Sequence, residues 1–226
     1  MQLRNFCGLG GAILSIICSS HSAIAGAVSA KHNAHTSATG ENALRSSLRS
    51  EVQIEGILSG VVDKLWAQDD VYWHSGDYHN IISLDRVIVE IDPGFIECYS
   101  TGGWLMESLG NNHDAEAFYQ LAASRNPNVG NAYFYLGMFY FNTLHEYGPA
   151  VTIFTADTQT GNADINDWKM LAHSLQHTGE YAKEVSVWEH IAQKWPNGVA
   201  VAINLERARA LLRERGPHAL VTPKGR

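Results

Sequence analysis

His173 and His177 stand four residues apart, the spacing at which two imidazoles on one helix can face the same metal ion. A helical zinc hydrolase also needs a glutamate directly after the first histidine and a third ligand; Ser174 follows His173 instead, and no neighbouring motif offers the ligand. His145-Glu146 has no second histidine and runs into Pro149. His32 and His35, three apart, lie in a polar stretch and read as histidines in a linker. Cys98 would act as a nucleophile only beside a base and a group that orients it, and the sequence signals neither. Nor is there a glycine-rich loop to cradle a phosphate. The chain therefore reads as not an enzyme, with no catalytic residue, no metal and no cofactor; the alternative is a small metal-binding protein or hydrolase that uses His173 and His177.

Composition narrows the partners. Across 226 residues, 16 Lys+Arg against 23 Asp+Glu give a net charge of −7, the wrong sign for nucleic acid, whose affinity rests on cations at phosphate. Arg4, the apolar run Phe6 to Cys18 and the small residues after it have the layout of a secretory signal peptide, expected over residues 1–27. The run is 13 residues long, short of the ~20 a membrane-spanning helix needs, and Ile17 before Cys18 does not suit lipidation. Export to a periplasm or the cell exterior follows, with no membrane span. Residues 28–50, mostly Ala, Ser, Thr, Asn and His, read as a disordered linker. Cys98 is then left without a disulfide partner, so the domain must rest on its apolar core.

The elements that would position any site are helical. Ile54, Ile57, Leu58, Val61, Val62, Leu65, Trp66 and Tyr72 follow the three-and-four spacing of an amphipathic helix over Glu51 to His74. Gly76 breaks it, Asp77 caps a second helix striped with Ile81, Leu84, Ile88 and Ile91, and Asp92-Pro93-Gly94 stops that one. The plan returns. Prolines 93, 127 and 196 are 34 and 69 residues apart, and so are glycines 76, 110 and 179. The second unit carries Tyr99, Gly102, Gly103 and Met106, then Ala115, Tyr119 and Ala122; the paired glycines suit a close approach of helices. The third carries Tyr133, Leu136, Gly137 and Tyr140, then one inserted residue around Leu144 to Glu146 that makes Tyr147 and Ala150 late. No proline closes it, and its second helix is expected to be the shortest. The fourth carries Trp168, Leu171, Ala172 and Leu175, capped by Asp164 or Asn166, then Val185, Trp188 and Ile191.

This pattern of an aromatic, a leucine-glycine pair, a tyrosine, a later small residue and aromatic, and a closing proline resembles the tetratricopeptide repeat. The resemblance implies an all-α, right-handed α-solenoid of about four helical hairpins: repeats near 62–95, 96–129, 130–164 and 165–198, a capping helix 199–213, all within a domain 51–213, and a flexible tail 214–226. Asp69, Asp85 and Asp157 depart from the pattern, where a small residue, an aromatic and a small apolar residue belong. It further implies a non-catalytic scaffold or adaptor that takes a partner protein or peptide in a concave groove lined by the first helix of each hairpin. Offset by one position from the core stripe, the groove residues would be Trp66, Asp70 and Trp73, then Glu97 and Trp104, then Phe134, Met138 and Phe141, and finally Lys169, His173 and His177. The lysine, arginine and asparagine set with which the family grips a C-terminal carboxylate is absent. Aromatic and acidic, the groove suits an apolar or mildly basic peptide, or a sugar stacked on tryptophan. The helix around Phe134 is apolar nearly all round, so a ligand or the flanking helices must cover it. A third reading is a structural assembly subunit, self-associating or with its groove filled by its own tail.

Overall fold

The computed structural model describes residues 38–217, and among them every regular element is a helix. The chain divides into two compact units between Ser50 and Glu51. Helix α1, Ala38–Ser75, crosses that division. In the first unit residues 38–50 are helical, and 45–50 are exposed. The linker expected over 28–50 is thus helical from Ala38, thirteen residues before Glu51. The physical reason is propensity: Glu41, Ala43, Leu44, Arg45, Leu48 and Arg49 are all good helix formers. Residues 1–37, with the signal peptide, His32 and His35, and the end of the tail from 218 lie outside the described residues.

In the second unit the helices follow one another as paired neighbours: α2 Tyr78–Ile91, α3 Ile96–Ser108, α4 Asn112–Arg125, α5 Gly130–Met138, α6 Tyr147–Gln159, α7 Ile165–Thr178, α8 Tyr181–Lys194 and α9 Val201–Arg215. From α2 onward each helix packs on the next. Four helical hairpins and a last helix result, the α-solenoid that the periodicity predicts. The last helix starts and stops two residues later than expected, at Val201 and Arg215.

The hairpin turns explain the glycine beat. Gly76, Gly110 and Gly179 all have φ between 74° and 80°, the left-handed region that glycine occupies without a Cβ clash. In the third hairpin that slot falls to His145, at φ 56°. The inserted residue does not enlarge the turn. It is absorbed upstream, where Phe139–Leu144 continues α5 as a π-helical turn. Side chains of that turn reach back across the array: Tyr140 donates to Glu116 at 2.7 Å, and Thr143 donates to Glu107, which also accepts from Tyr119 at 2.6 Å. The second helix of this hairpin is nearly full length, 13 residues against 14 in α2, α4 and α8. Asp164 rather than Asn166 caps α7, in a reciprocal capping box with Asp167.

Apolar burial holds the hairpins together. One cluster joins Ile88, Tyr99, Met106, Phe118, Tyr119, Leu136 and Phe139; others centre on Phe154 with Leu171 and Leu175, and on Trp188 with Ile191, Val201 and Ala208. Close approach needs missing side chains. A Cβ added at Gly137 would lie 2.6 Å from the Phe154 ring, and one at Gly103 would overlap Tyr119. On α1, Val52, Ile54, Ile57 and Leu58 are exposed.

Candidate partner-binding face

The first helices of the hairpins, α1, α3, α5 and α7, carry the eleven residues that the repeat pattern assigns to a groove, and the structure separates them into three groups. On α1 and α3 four of the five, Asp70, Trp73, Glu97 and Trp104, are exposed. Trp73 and Trp104 come from different hairpins, yet their ring centroids lie 6.2 Å apart with planes inclined at 36°. They remain 36% and 38% exposed, large apolar surfaces at the solvent boundary. Tyr78, at the start of α2, sits edge-on to Trp73 at 6.2 Å. Asp70 is exposed one turn before Trp73, its carboxylate 3.6 Å from the His74 imidazole, whose Nδ1 lies 2.8 Å from the Asp70 backbone carbonyl oxygen; Glu97 is exposed two turns before Trp104. Trp66, two turns before Trp73, is half-buried against Phe95 at 5.1 Å and packs on the core.

On α5 and its π-helical continuation the group is covered. Phe134, Met138 and Phe141 are half-buried against Ala150, Phe154, Leu171 and Leu175. Phe134 meets Phe154 edge-on at 6.1 Å. Of the two ways to cover this apolar helix, the flanking helices are therefore the one seen. Sequence spacing alone does not distinguish a groove face from a face that the next hairpin buries.

On α7 the histidines part company. His173 is half-buried, its ring edge-on to Trp188 at 5.5 Å, while exposed His177 stacks on Tyr147 at 4.0 Å and 16° and meets Phe141 edge-on at 5.3 Å. Both imidazoles are held below the ordinary histidine range, by burial first and then by the Arg207 cation; His177 also acts on His173, and His145 on His177. Lys169 borders a shallow depression that Lys194 and Trp195 also line. Among the described residues no three His, Cys, Asp or Glu side chains gather as metal ligands would.

Nucleophilic chemistry has no seat at Cys98. The residue is fully buried, and burial first, then the Asp85 carboxylate, pushes its thiol pKa up, opposite to what a reactive thiolate needs. What the pattern does mark, through its departures, is a set of buried acids. Asp85 and Asp157 have no exposed surface, Glu184 has 1% and Asp69 has 6%. Burial raises Asp85 to about 8, with Asp69 adding to the rise and the Cys98 thiol opposing it. Burial likewise raises Asp157 to about 8, helped by Asp167 and Asp164, and Asp69 to about 6, helped by Asp70. Glu184 rises to about 7 through burial, against the pull of Arg207. Two of these acids crowd glycines: a Cβ on Gly102 would lie 2.9 Å from the Phe118 ring and 3.0 Å from an Asp85 oxygen, and one on Gly130 2.8 Å from Asp157. Position in the repeat was the only signal for them, and for Glu184 the sequence reading missed it.

No protein-family profile matches the chain, and no curated protein matches it. Solved structures do. The MamA protein is similar with a TM-score of 0.53 at 17% identity, over 68% of this chain and 85% of that one. Pseudomonas aeruginosa pilF reaches 0.54 at 15% identity, over 71% and 72%. YrrB, described as a TPR protein with an unusual peptide-binding site, reaches 0.51 at 13% identity, over 65% and 75%. At such identities the likeness concerns the backbone, and together with the four hairpins it shows that this chain has the tetratricopeptide-repeat solenoid fold.

Proposed function

We propose that the protein is a non-catalytic scaffold whose α1–α3 face, centred on Trp73 and Trp104, receives a partner protein or peptide. The observation that carries this reading is the exposed tryptophan pair: two large apolar rings from separate hairpins, held together at the surface where covering them is favourable. The solved structure with a peptide-binding site in the same fold supports a peptide as occupant. His173, His177 and the α5 aromatics pack on neighbouring rings, so this reading leaves them out of the contact with the partner. Residues 1–27 serve as a cleaved export signal, which N-terminal sequencing of the mature protein tests: a mature chain that keeps Phe6 contradicts it. Co-purification from the native host tests the face. Trp73→Ala with Trp104→Ala removes a partner that the intact chain retains; undiminished retention contradicts the reading. Phe134 is unsuitable for this purpose, because its truncation opens the core.

A further inference from the structure

We propose that the occupant of the Trp73–Trp104 face is a cationic peptide segment whose arginine or lysine side chains lie over the indoles. The inference rests on the reading of that face as the partner site and adds the chemistry of the partner. An aromatic face is negative at its centre and attracts a cation, tryptophan most strongly. A guanidinium is planar and weakly hydrated, so it stacks on indole while its edge donates to carboxylates.

Exposed carboxylates share both helices with the indoles. Asp70 lies one turn from Trp73 and Glu97 two turns from Trp104, and both are exposed. The His74 partner of Asp70 is 3.6 Å away with both side chains 74% exposed, a weak tie that an arriving guanidinium displaces. The field around them has one sign: leaving out the buried Asp69 and Asp85, there are ten carboxylates from Glu51 to Asp114 against Lys64 and Arg86, and Arg86 is already bonded to Asp114 at 3.1 Å. Such a surface draws a cationic ligand in and turns an anionic one, including an anionic lipid headgroup, away. Charge complementarity therefore selects a basic segment over the acidic C-terminus that a lysine and arginine clamp would take.

Tryptophan fluorescence of the full chain, titrated with a glycine-serine peptide bearing three arginines, tests this. The same peptide bearing three glutamates and an uncharged oligosaccharide are run beside it. The arginine peptide binds, and more weakly as salt rises from 20 to 200 mM, roughly the loss expected of screened surface charges. Trp104→Ala weakens it by about 3- to 30-fold. Asp70→Asn with Glu97→Gln weakens it several-fold without shifting thermal unfolding, so the test survives if the tryptophan variant is unstable. Equal binding of the glutamate peptide or the oligosaccharide overturns the proposal, as does arginine-peptide binding that ignores all three substitutions. If the native partner is still lost from the double tryptophan variant while the arginine peptide fails to bind, the face stands as a partner site and the cationic chemistry falls.

Discussion

Asp85 concentrates the residue-scale physics. A carboxyl that holds its proton more tightly in the folded chain than in the unfolded one stabilises the fold fully at low pH. That contribution declines as pH rises from the unfolded value, 3.8, through the folded one, about 8. Asp157, Glu184 and Asp69 share the direction, so the solenoid should lose stability between about pH 4 and pH 8. Thermal midpoints are expected to fall from pH 5 to pH 8. Asp85→Asn should flatten that slope and stabilise by roughly 1–3 kcal/mol at pH 8, since it removes a buried charge. A wild-type midpoint that climbs with pH would show these acids to be ionised in the fold. His145 makes a separate test. It alone among the four hairpin turns fills the left-handed slot with a side chain, so His145→Gly is expected to raise unfolding free energy by about 1 kcal/mol in denaturant titration; a loss would mean that its bond to the Phe141 carbonyl matters more.

At the scale of elements, helix contact depends on glycines that face aromatic rings. Gly137→Ala pushes a methyl toward Phe154, 2.6 Å away, between α5 and α6. It is expected to cost about 1–3 kcal/mol, whereas the same change at Gly148, which has open space around it, should cost little. Equal effects at the two positions would contradict the packing argument. The hairpins themselves were legible in the sequence, because Gly76, Gly110 and Gly179 and the three prolines report backbone conformations that few other residues adopt. The inserted residue of the third repeat was legible too, though not its form: a π-helical turn needs only one extra residue within a helix, and no residue type marks it. The start of α1 was missed because residues 38–50 contain few large apolar side chains, so periodicity is silent where propensity alone makes the helix. Offset from the core stripe put Trp66, Trp73, Trp104, Phe134 and Phe141 on one face; Trp73 and Trp104 are exposed, whereas neighbouring side chains cover Trp66, Phe134 and Phe141.

At the scale of the molecule, the fold is a solenoid in which successive hairpins bury one another, and the proposed binding falls to its first-helix face. The acids of the first two hairpins give that face its charge, and two tryptophans give it apolar area. Both properties come from side chains that the repeat pattern does not demand, so the fold could be read from periodicity while the proposed occupant rests on side chains that periodicity leaves free to vary. Site-directed photo-crosslinking in the native host tests the central claim most directly. A photoreactive residue replaces Glu97 on the α3 face in one strain and exposed Val87 on α2 in another. The account expects a discrete adduct from position 97 that disappears with Trp73→Ala and Trp104→Ala, and none from position 87. An adduct from position 87 alone, or one from position 97 that survives loss of both tryptophans, would contradict it.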